Sequence, residues 1–120
     1  AGETLEILIN KLQDEGFIYI DKDHYDNSLD PTKTQVHIDL HAQGRRSMDA
    51  PRISPLGPDW ERNMVIPVYH TFTFEYMIHM PVPEWGEGKH LYIAFHDGAV
   101  DTARGVEFPY PPDQGIRILR

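Results

Sequence analysis

A chain of 120 residues with a formal charge of −8, seven histidines and no cysteine excludes several classes at once. The length accommodates one hydrophobic core, so a single domain over residues 1–120 is expected. Disulfides, thiolate metal sites and cysteine nucleophiles are impossible, and nineteen acidic against eleven basic residues disfavour nucleic acid and anionic membrane as partners.

In TLEILINKLQDEG, Leu5, Leu8, Ile9 and Leu12 stand at i, i+3, i+4 and i+7, which predicts an amphipathic helix capped by Thr4 and ended by Gly16. Asp14 and Glu15 at its carboxyl end oppose the helix dipole, so packing rather than propensity must hold it. FIYID (17–21) reads as a short strand, and DKDHYDNSLDPTK as a polar loop. Its Asp21, Asp23 and Asp26 lack the accompanying glycine and glutamate of a calcium-binding loop.

TQVHIDLHA (34–42) alternates with period two. As a strand it sends Val36, Ile38 and Leu40 to a core and His37, Asp39 and His41 to the opposite, polar face. Residues 44–63 carry Pro51, Pro55, Gly57 and Pro58 without an apolar period. A loop of that length tends to be functional or to reach toward a partner. Arg45, Arg46 and Arg52 gather basic charge in it, and Trp60 is expected to pin its end to the body.

MVIPVYHTFTFEYMIHM (64–80) is aromatic and β-branched, with a strand expected to start properly after Pro67. His70, Phe72, Phe74, Tyr76, Ile78 and Met80 form its core face; Tyr69, Thr71, Thr73, Glu75, Met77 and His79 face away. PVPEWGEGK turns the chain, and HLYIAFHDG (90–98) returns with Leu91, Ile93 and Phe95 inward and His90, Tyr92, Ala94 and His96 outward. A hairpin between 68–80 and 90–97 follows. AVDTARGVEFPYPPDQG reads as mostly irregular, stiffened by Pro109, Pro111 and Pro112, and GIRILR as a closing strand.

These elements predict an α+β fold, one N-terminal helix on a mainly antiparallel sheet, with a β-sandwich bearing a terminal helix as the alternative. No window approaches the roughly 18 apolar residues of a membrane span, and the opening AGETLEI lacks the basic and apolar regions of a signal peptide. Compartment stays open. Protonating all the histidines would cancel seven of the eight negative charges, so a solubility minimum is expected near the pI of 5.2. A turbidity titration that stays flat between neutral and mildly acid pH would reject it.

For chemistry, His37 with Asp39, or Asp39 with His41, offers two ligands to one divalent iron or zinc ion. A third would come from a neighbouring strand: His79 with Glu75, His90 or His96. The H-x-D pair with distal His96 and Arg104 invites comparison with 2-oxoglutarate-dependent oxygenases, but the chain is too short for their barrel and that family is not assigned. His79 with Glu75, or His96 with Asp97, would serve metal-free proton transfer if buried beside a pocket. No serine stands in a nucleophile motif, and GEGK (86–89) lacks phosphate-loop spacing. The reading placed first is therefore a small non-enzymatic accessory or assembly protein without cofactor. It would act by protein contacts or self-association through its Pro-rich loops and sheet edges, with Arg45, Arg46, Trp60, Trp85 and Tyr110 as contact residues. A histidine/carboxylate metal protein or small metalloenzyme is the alternative.

Overall fold

The computed structural model describes residues 1–43 and 51–111. Helix α1 (Gly2–Asp14) carries the apolar stripe: Leu5 is buried in the core, and Leu8, Ile9 and Leu12 pack against it. The helix starts before Thr4, which is no cap; Glu3 in its first turn favours the dipole instead. Gly16, at φ +88°, ends it by donating its N–H to Gln13 O at 2.9 Å, while Phe17 N–H reaches Leu12 O at 3.0 Å. That pair of bonds satisfies two otherwise orphaned carbonyls, and the left-handed residue between them has to be glycine or pay in strain.

β1 (Ile18–Tyr19) runs parallel to β2 (Gln35–Ala42). A parallel pair needs a long connection, here residues 20–34, which is folded by its own aspartates. Asp26 Oδ1 accepts from Ser28 N and Oγ at 2.8 and 2.6 Å, and Asp30 Oδ1 accepts from Thr32 N and Oγ1 at 2.9 and 2.6 Å. These bonds hold both carboxyls below the usual aspartate range. The acids make turns. The loop is clipped to β2 by Gln35, whose Oε1 accepts from Asp26 N at 2.8 Å and whose Nε2 donates to Asp26 O at 2.9 Å.

β2 pairs antiparallel with β3 (Thr71–Pro81), β3 with β4 (His90–Thr102), and β4 with β5 (Gly105–Glu107), in the spatial order β1-β2-β3-β4-β5. All five strands lie in one curled sheet with α1 on its apolar face, so the fold is α+β and the sandwich alternative falls. The core joins Leu5 to Val36, Ile38, Leu40, Ile53 and Phe72. Each such side chain contributes about 1.5–3 kcal/mol by leaving water.

Three expectations are corrected. The stretch after residue 98 is not irregular: β4 continues to Thr102 and β5 returns beside it. Turn chemistry rather than apolar alternation drives this hairpin, with Gly105 at φ +111° and Arg104 donating to Glu107 from Nε at 2.9 Å and from Nη2 at 3.1 Å. The 44–63 segment contains a short helix, α2 (Asp59–Arg62), and Ile53 bridges to Leu40 in both directions. Trp60 does not pin it, being 60% exposed. The anchors are Ile53, Ser54 and Glu61, all buried, with Glu61 Oε2 accepting Arg52 N–H at 3.0 Å. The helix turns Glu61, not Trp60, toward the body.

Phe95 is also less inward than expected, at 48% exposed, and Met80 at 41%. Neither belongs to the core cluster around Leu5, which draws on Phe72, Phe74, Tyr76 and Ile78 instead. GIRILR and Pro112 lie outside the described residues, as do Arg45 and Arg46.

Candidate functional site

The register aligns the polar side chains in rows across three strands. Asp39 stands opposite Glu75, and Glu75 opposite His96; Gln35 stands opposite His79, and His79 opposite Tyr92. His37 pairs with Met77 and His41 with Thr73. His37, Asp39, His41, Glu75, His79 and His96 therefore project from one face of the sheet.

That face is dry over β2. His37 is fully buried and donates from Nδ1 to Ile20 O at 3.1 Å, because a carbonyl can only accept. Asp39, 5% exposed, accepts Arg52 Nε–H at 2.6 Å, and Arg52 Nη2 donates to its other oxygen. Burial alone would raise the Asp39 carboxyl. The guanidinium's hydrogen bonds and charge outweigh it and hold the group below its ordinary range. Asp39 thus has its cation already, and it comes from thirteen residues downstream.

The six candidate ligands separate into distinct groups. His79 and His90 belong to an aromatic cluster: Tyr25 stacks on His90 at 4.0 Å between centroids, and His79 lies 5.0 Å from both His90 and Tyr92. Burial pushes the His79 imidazole below the usual histidine range. His41 and His96 instead meet Glu75. One ligand atom from each of these three lies within 4.8 Å of the others, the group being half-buried except for exposed His96. His41 Nδ1 donates to Ala42 O at 3.1 Å, leaving Nε2 to face Glu75 Oε2 at 3.4 Å. Sequence reasoning paired Glu75 with His79; the register gives it to His96. Arg52 it counted only as basic charge, since nothing local in the sequence links it to Asp39.

A second feature is the outer edge of β4. β5 covers it only from Val100 to Thr102, so among the described residues His90–Ala99 has β3 on one side and no strand on the other. Asp101 uses both backbone groups toward the β3 side, donating to His70 O and accepting from Tyr69 N. By strict alternation through an unbroken register, the odd-numbered residues of β4 do the same. The N–H and C=O groups of Tyr92, Ala94 and His96 point outward. Ala94, Phe95, His96 and Asp97 are exposed in succession, as befits a strand open on both faces and one edge. Trp85 is 60% exposed at the tip leading into β4 and does not fold back on the sheet; Tyr110 is 85% exposed.

No protein-family model, no curated protein and no solved structure matches this chain. What it does has to be read from its geometry.

Proposed function

We propose that this chain is an accessory or assembly protein that associates through the open edge of β4, pairing there with a second copy of itself. The observation that carries the reading is the edge from His90 to Ala99, roughly 33 Å long at strand rise, which no strand among the described residues covers. Proteins that keep such edges free blunt them with lysine, proline, bulges or very short strands. This one has no Lys, Arg or Pro between His90 and Ala99, an unbroken register, and one carboxylate, Asp97.

Antiparallel pairing about a twofold axis near Ala94 closes after two copies and continues the sheet. Asp97 of one copy then falls opposite a residue near position 92 of the other, so the two carboxylates do not confront each other. Exposed Tyr92 and Phe95 add side-chain contact on the two faces, with Trp85 at the flank. Trp60 and Tyr110 are exposed elsewhere and are second-choice contact residues.

Sedimentation equilibrium of the wild type and of Ala94→Pro tests the reading. The substitution deletes an outward N–H and leaves the β3 ladder intact. The wild type should show a concentration-dependent dimer and the variant a monomer of unchanged circular dichroism. A wild type that stays monomeric, or a variant of the same mass as the wild type, rules the interface out.

A further inference from the structure

We propose that His41, Glu75 and His96 bind one divalent transition metal ion on the polar face of the sheet, a property independent of edge pairing. Three adjacent strands deliver one ligand each: β2 His41, β3 Glu75 and β4 His96.

The argument begins with a proton count. Ala42 O can only accept, so His41 Nδ1 carries the hydrogen and Nε2 of the neutral ring holds a lone pair. That lone pair faces a carboxylate oxygen, Glu75 Oε2, at 3.4 Å. Two electron-rich atoms at that spacing call for a positive charge between them, either a second ring proton or a metal ion. A proton would draw the pair to about 2.7–2.9 Å, the length of a charge-assisted hydrogen bond. A tetrahedral ion bound at about 2.1 Å holds neighbouring ligand atoms about 3.4 Å apart. The 3.4 Å separation is the spacing of neighbouring ligand atoms about such an ion, and one ligand atom from each of the three side chains lies within 4.8 Å of the others.

The surroundings agree. The Nδ1–H···O=C bond is the usual device for orienting a metal-binding imidazole and fixing its tautomer. Asp39, the remaining carboxylate of the Glu75 row, is neutralised by Arg52, so the set is two imidazoles and one carboxylate rather than an acidic cluster. Exposure at His96 leaves the other coordination positions to water, as in catalytic rather than closed structural zinc sites. Without cysteine the donors are nitrogen and oxygen only, which suits zinc or ferrous iron.

The test is titration of the metal-free protein with zinc by calorimetry, and with cobalt(II) followed by its visible absorption. One ion per chain is expected, with the cobalt bands of a low-coordinate nitrogen/oxygen site. Glu75→Gln and His96→Ala should each weaken zinc binding at least tenfold and abolish the bands; His96 is exposed, so that variant folds as the wild type does. His24→Ala, changing an exposed histidine outside the set, should bind as the wild type. Absence of stoichiometric binding overturns the proposal, as does binding that Glu75→Gln and His96→Ala leave unchanged or that His24→Ala weakens equally.

Discussion

β2 and β4 are written in similar letters, VHIDLHA against HLYIAFHDG, yet one is buried on both faces while the other is only half-buried to exposed on both. Alternation sets which side chains share a face. It does not set where the strand lies in the sheet. β2 has β3 on one edge and both β1 and Ile53 on the other, with α1 over its aliphatic face. Its polar residues therefore had to find partners inside the protein, Arg52 for Asp39 and Ile20 O for His37. Over its first ten residues or so, β4 has β3 alone among the described residues, and its polar groups find no such partners there.

The ion pairs of the two regions offer the largest contrast. Arg52→Ala strands Asp39 without its cation and should cost about 3–5 kcal/mol in urea denaturation. Arg104→Ala, in the solvated pair with Glu107 beside β4, should cost under about 1 kcal/mol. The same experiment repeated against pH has a definite sign. The lowered folded-state pKa of Asp39 contributes stability above the unfolded value of about 3.9, lost as pH falls through the folded value. In Arg52→Ala the guanidinium's hydrogen bonds and charge are gone and only Ser54 and His41 still oppose the effect of burial on this carboxyl, so the loss of stability on acidification should shrink. Equal costs for the two arginine variants, or no change in acid slope, would break the contrast.

Aliphatic truncation sharpens it at smaller amplitude. Ile38→Ala, at a fully buried position of β2, should cost about 2–5 kcal/mol, and Ile93→Ala, half-buried on β4, less than half as much. The smallest effect expected is at His79. Its lowered folded-state pKa means no penalty above the unfolded value of about 6.5 and a growing loss of stability as pH falls below it. His79→Phe should flatten that part of the stability profile, as read from the urea midpoint at successive pH values.

Much of the fold was legible because its signals are local. The stripe Leu5, Leu8, Ile9 and Leu12, the ending at Gly16, the alternation of Val36, Ile38 and Leu40, and the hairpin beyond Pro67 each follow from a few neighbouring residues. What escaped depends on distant pairing or on turn chemistry. The burial of Asp39 needs Arg52, the β4–β5 hairpin needs Gly105 and the Arg104–Glu107 pair, and the 51–62 segment is anchored by Ile53 and Glu61 while Trp60 stays in water. The meeting of His41, Glu75 and His96 depends on register across three strands, and a slip of one residue would place any of them on the opposite face.

Amide hydrogen exchange along β4 at two protein concentrations examines the open edge most directly. Leu91, Ile93 and Phe95 point their N–H groups at β3 and should be protected throughout. Tyr92, Ala94 and His96 should exchange freely in dilute solution and become protected when concentrated. If those three amides exchange at the same rate at both concentrations, the edge has no partner in a second copy and the proposed assembly is wrong.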